Sequence, residues 1–120
     1  MPSMDETWEM RNGLMIPNRS VLAAMTNKQS HADGTLSEEE MRFLLRRAEG
    51  GFGLITTAAS HVQESGQGWE GEFGVWGDHQ LPGLTSLATQ LRHHDSKSFV
   101  QIFHGGCLLY TSPSPRDTDL

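Results

Sequence analysis

The chain has 120 residues, 36% of them apolar, with 13 glycines, five prolines and a net charge of −6 at pH 7. That length allows one domain or part of one, and an acidic balance with both signs interspersed excludes a polyanion-binding role, so neither nucleic acid nor an anionic membrane is expected as a partner. The single cysteine, Cys107, excludes an internal disulfide framework and a cysteine-based zinc site.

The first 19 residues read as turns around a short extended piece, "NGLMIPN". Their acidic start lacks the apolar stretch of a secretory signal, and no apolar run in the chain approaches the ~20 residues of a membrane span, so the cytoplasm is the expected compartment. Ser20 to Met25 is a short apolar run, as in a strand covered on both faces. After a polar loop with an Asp33-Gly34 turn signal, Ser37 has the position of an N-cap, with Glu40 three residues on completing a capping box. Leu36 and Met41 have the spacing of a hydrophobic staple. Met41, Leu44, Leu45 and Ala48 form one helical stripe, and Gly50-Gly51 ends it.

Phe52 to Thr57 is predicted as a second strand. A long loop, "ASHVQESGQGWEGEFGVWGD", comes next; its Trp69, Phe73 and Trp76 are expected to pin it rather than to cover a pocket. Asp78 is placed to cap a second helix, with Leu84, Leu87, Ala88 and Leu91 as its apolar stripe and Pro82 in its first turn. Ser98 to His104 is a third strand, with Phe99, Gln101 and Phe103 on one face and Val100, Ile102 and His104 on the other. The six histidines show no metal-ligand spacing, and no metal site is expected.

Strand, helix, strand, helix, strand argues for a parallel sheet with crossover helices, and three strands do not close a barrel. The chain therefore reads as the opening of a larger α/β fold. Beyond the third strand, the segment "CLLYTSPSPRD" back-translates in one reading frame into the transposase adapter used for short-read sequencing libraries. On that reading residues 107–120 are a non-native, disordered tail, and Cys107 and Tyr110 carry no function.

The motifs "IPNRSVLAAMTN", "DGTLSEEEMRFLLRRAEGGFGLITTAAS", "GVWGDHQLPGL" and "FVQIFHGG", in this order and spacing, resemble the N-terminal part of the old yellow enzyme family of flavin oxidoreductases. The resemblance implies that residues 1–106 are a partial FMN-binding domain, about three βα units of a truncated (βα)8 TIM barrel. It also implies FMN as cofactor, NADH or NADPH as reductant, a small-molecule substrate and a parent protein that can form a homo-oligomer. On it, Ala24, Met25 and Thr26 lie along the flavin, with the Thr26 hydroxyl donating near the C4 carbonyl and N5. Ala59 lets the backbone approach the ring, and Gln101 meets the N3–H and C2=O edge. The substrate-binding His/His or His/Asn pair and the phosphate site belong to later parts of such a barrel, so the piece alone is expected to be inactive. The alternative is a small, complete acidic α/β binding or interaction module without enzymatic activity.

Overall fold

A computed structural model describes residues 3–106. The tail reading, with Cys107 and Tyr110, lies outside the described residues. Five strands and two helices succeed one another. Strands β1 (Trp8–Glu9) and β2 (Met15–Ile16) form an antiparallel hairpin. Then come β3 (Val21–Leu22), α1 (Glu38–Glu49), β4 (Leu54–His61), α2 (Leu81–His93) and β5 (Lys97–Phe103). The last three strands form a parallel sheet in the order β3-β4-β5. Sequential strands lie side by side, each joined to the next through a helix, as in the first staves of a parallel barrel.

Both helices pack on one face of this sheet. Leu22 and Ile55 of the sheet meet Leu44 and Ala48 of α1 and Leu87 and Leu91 of α2 in one buried cluster. Leu36 and Met41 both reach the same cluster from either side of the α1 cap. Burying six such side chains contributes on the order of 10 kcal/mol before chain entropy is counted.

The N-terminal ends of β3 and β4 are knotted together by one side chain. The Oδ1 of Asn18 accepts from the amides of Ser20 at 2.9 Å and Gly53 at 3.0 Å, and its Nδ2 donates to the Gly51 carbonyl at 2.6 Å. Gly51 sits at φ +109°, which turns the chain out of α1 and toward β4.

Several elements differ from their expected form. The strand expected over Ser20 to Met25 pairs only at Val21 and Leu22, and it is not covered on both faces: Leu22 is 7% exposed but Val21 is 47% exposed. Helices cover only one side of the sheet, so alternate residues point away from them. The second strand begins two residues later than expected and runs on to His61, because small and polar residues, "AASH", continue the ladder. Ala59 thus lies within β4, not after it.

The capping box at α1 is relayed rather than direct. Ser37 Oγ accepts from the Glu40 amide at 3.1 Å, as expected. The buried Glu40 carboxylate does not reach back to Ser37, however. It accepts from the Ser30 hydroxyl at 3.0 Å, and Ser30 Oγ in turn takes the Ser37 amide at 3.3 Å. Burial pushes the Glu40 carboxyl above its ordinary pKa, against the hydrogen bonds from Ser30 and Asn27. Asp78 does not cap α2. It opens a 3-10 turn, Asp78–Gln80, and the buried Gln80 side chain instead accepts from the amides of Trp76 at 2.8 Å and Gly77 at 3.1 Å. Ala88 is exposed, while Leu87 and Leu91 of its predicted stripe are buried.

Candidate functional site

The C-terminal ends of three parallel strands converge on one side of the sheet, where loop residues are free to meet a ligand. The ladder between β4 and β5 decides which side chains share that side. Thr56 pairs with Phe99, but the next pair along the ladder is Ala59 with Gln101. Two residues of β4, Thr57 and Ala58, stand opposite Val100 alone, which is a β-bulge. A regular ladder would set Ala58 opposite Gln101; the extra residue sets Ala59 there instead.

Two hydroxyls close the bulge. Thr57 Oγ1 accepts from the Gln101 amide at 3.2 Å and donates to the Ala58 carbonyl at 2.9 Å. Ser60 Oγ donates to the Gln101 carbonyl at 2.9 Å. Both the amide and the carbonyl of Gln101 are therefore held by β4 side chains. The sequence reading does not single out Thr57 and Ser60 as site-building residues. Their signal is "TTAAS", where hydroxyls interrupt an otherwise apolar strand.

The structure brings Ala59 and Gln101 together as register partners. Ala24, Met25 and Thr26 continue from β3 on the opposite flank of β4. Thr26 and Ala59 each lie four residues beyond the Leu22–Ile55 pair. Ala59 is buried, Ala24 half-buried, and Met25, Thr26 and Gln101 are exposed. Among the described residues neither the Thr26 hydroxyl nor the Gln101 carboxamide has a hydrogen-bond partner. Gln101 is accordingly no self-satisfied core amide. Its face of β5 is free of helix cover, whereas Ser98 and Val100, on the other face, line a small apolar cavity under α2. Gln101, with its free carboxamide, therefore stands beside the small Ala59, while Thr26 lies on the segment that leaves β4 after Leu22.

The loop after β4 folds back onto the strand's free edge. His61 forms an isolated parallel bridge with Gly74, and the Gly74 amide donates to the Gly34 carbonyl at 2.8 Å. The loop thereby takes the place beside β4 that β3 leaves after Leu22. Gly71 (φ +96°) presses against Lys28, where a Cβ would lie 2.5 Å from the Lys28 carbonyl oxygen. All three loop aromatics are engaged. Phe73 is fully buried in the core, Trp69 lies against Phe103, and Trp76 meets His79 edge-on at 5.0 Å. Pinning of the loop, as the sequence suggests, is what the packing shows.

His104 comes just after β5, with both ring nitrogens engaged. Nδ1 accepts from the Gly106 amide at 2.9 Å, so Nε2 carries the hydrogen and donates to Gln63 Oε1 at 2.8 Å. No cluster of three or more metal-ligating side chains occurs among the described residues, and no helix among them is long and apolar enough to cross a membrane.

Residues 9–118 match the NADH:flavin oxidoreductase / NADH oxidase family. The chain is 35% identical over 101 residues to the probable NADH-dependent flavin oxidoreductase YqiG of Bacillus subtilis, covering 84% of this chain and 27% of that protein. It is 32% identical over 100 residues to an NADPH dehydrogenase of Bacillus licheniformis, covering 82% of this chain and 29% of that one. It therefore spans somewhat over a quarter of the length of these relatives. The described fold superposes on the old yellow enzyme homologue of Zymomonas mobilis with a TM-score of 0.78, at 23% identity over 86% of this chain and 28% of that one.

Proposed function

The chain belongs to the NADH:flavin oxidoreductase / NADH oxidase family, and from that premise we propose that it is the N-terminal part of an FMN-dependent ene-reductase whose flavin lies across the ends of β3, β4 and β5. The observation that carries this reading is the bulge that sets the unpartnered Gln101 opposite the small Ala59, with the unpartnered Thr26 on the segment that follows β3. Bound FMN would supply the redox chemistry, hydride transfer between a reduced nicotinamide and an activated alkene.

The chain's own residues bind and tune. The Gln101 carboxamide offers a donor and an acceptor side by side, the complement of a ring edge that presents N–H beside C=O. The Thr57 and Ser60 bonds to its backbone fix where that side chain leaves the strand. The Thr26 hydroxyl would donate toward a flavin carbonyl that gains negative charge on reduction, which would favour the reduced ring. Ala24 and Met25 bring backbone alongside the ring, and Ala59 keeps the approach free of bulk. The acceptor-binding pair and the phosphate site are proposed to lie in the rest of the parent protein.

On this reading residues 1–106 are a partial barrel domain without turnover of its own, and residues 107–120 derive from adapter sequence. Sequencing the gene across Gly106 tests the second part. Purifying the full-length product tests the first: a yellow protein with a flavin spectrum supports it, and a colourless one overturns it.

A further inference from the structure

A buried carboxylate at the start of α1 holds the loop that follows β3. Glu40 is 1% exposed, so it reaches no ligand directly. Its Oε2 accepts from the Ser30 hydroxyl at 3.0 Å, and the Asn27 side chain donates to the same carboxylate. Asn27 directly follows Thr26 in the chain. Its Oδ1 accepts from the Gln29 amide at 3.2 Å, which closes a turn around Lys28 at φ +54°. A lysine keeps this left-handed backbone only where its surroundings impose it. Here they do so from two sides. Glu40 grips Asn27 and Ser30 from the helix, while Gly71, in the loop after β4, lies against Lys28 and accepts the Ser30 amide on its carbonyl at 2.9 Å. The Thr26 hydroxyl has no partner of its own among the described residues, so its direction is left to the segment that carries it.

We propose, resting on the flavin reading above, that Glu40 is a positioning residue of the parent enzyme: it holds Asn27, and through Asn27 it aims the Thr26 hydroxyl at the flavin. The Asn27 carboxamide is bonded at both ends, to Glu40 and to the Gln29 amide, which leaves the residue before it little freedom. A donor fixed in place before reduction needs no reorganisation when the ring gains charge. A through-space effect of the Glu40 carboxylate has the opposite sign, because removing a negative charge favours the reduced, more negative ring. The sign of the change in flavin potential therefore separates positioning from charge.

The test is the midpoint potential of the full-length, flavin-loaded enzyme, read against a reference dye. Glu40→Ala is expected to lower the preference for reduced over oxidised FMN about fivefold, which is about 20 mV more negative for a two-electron couple. Asn27→Ala leaves the Ser37 cap and the Ser30 bond in place; it is expected to shift the potential equally, and it serves where Glu40→Ala does not fold. Glu40→Gln keeps an oxygen that can accept both hydrogen bonds and is expected to hold the preference within about twofold. On a Thr26→Ala background, Glu40→Ala or Asn27→Ala is expected to add less than about twofold, because the hydroxyl they aim is gone. In the flavin-free, full-length protein, hydrogen exchange at the Ser30 amide is expected to speed about tenfold in Glu40→Ala. Four results overturn the assignment while the flavin reading stands: an unchanged potential, a shift to more positive values, a shift undiminished by Thr26→Ala, or an unchanged Ser30 exchange rate. A colourless full-length protein overturns both.

Discussion

Ala59 faces Gln101 across the β4–β5 ladder because β4 carries one more residue than β5 between Thr56 and that pair. The placement is held by hydroxyls rather than by apolar packing, since Thr57 and Ser60 bond the amide and carbonyl of Gln101. Everything proposed for the flavin edge depends on this local break in the ladder.

Removing either hydroxyl should loosen Gln101. Thr57→Val leaves the Gln101 amide without its partner and is expected to cost about 1–2 kcal/mol, with Ser60→Ala costing about 1 kcal/mol. Chemical denaturation of the full-length enzyme measures both. Because the two bonds hold one residue, the double variant should lose less than the sum of the two.

Direct substitution of the ring-facing groups should separate affinity from tuning. Gln101→Ala is expected to weaken FMN binding about tenfold, read by flavin release under dilution. Thr26→Ala is expected to shift the flavin potential about 20–30 mV more negative, because the reduced ring loses a donor worth about 1 kcal/mol. A Thr26→Ala enzyme with the wild-type potential counts against the hydroxyl's assigned role.

Asn18 offers the contrasting case. It ties the opposite ends of β3 and β4, remote from the proposed site. Asn18→Ala is expected to cost about 2–3 kcal/mol of stability, since several backbone groups lose a partner at once. FMN affinity of the protein that remains folded should not change. A thermal-unfolding series set beside an FMN titration checks both halves.

Glu40 gives a pH dependence of known sign. Its carboxyl is buried and its pKa raised in the folded chain. A raised carboxylate pKa stabilises the fold most where the unfolded chain is also protonated, below the ordinary value of 4.5, and that contribution is lost as pH rises through the folded pKa. Glu40→Gln keeps an acceptor for Ser30 without charge, so its stability relative to wild type should improve between pH 4 and pH 7. A difference that is flat with pH, or of opposite slope, contradicts the burial argument.

Much of this architecture is legible in the sequence. The stripe of α1, its Ser37 cap and the Gly50-Gly51 stop can be read from spacing, and the strand–helix alternation gives the parallel sheet. The failures have physical causes. The β4 ladder continues through Ala58, Ala59 and Ser60, residues with weak strand preference, because pairing with β5 overrides propensity. The bulge is invisible in a pattern of period two, so the pairing of Ala59 with Gln101 could be expected only from the family resemblance, not from alternation. Glu40 and Glu72 look like surface carboxylates in sequence. Their burial goes with hydrogen bonds that spacing alone does not announce, from the Ser30 hydroxyl to Glu40 and from the Gly68 amide to Glu72.

The most direct measurement is a crystal structure of the full-length protein with its flavin. The predicted result is an isoalloxazine ring across the ends of β3, β4 and β5, with the Gln101 carboxamide within about 3.2 Å of its N3–H and C2=O edge and the Thr26 hydroxyl on the same ring. A ring bound elsewhere, or a Gln101 side chain turned away from it, would contradict the account.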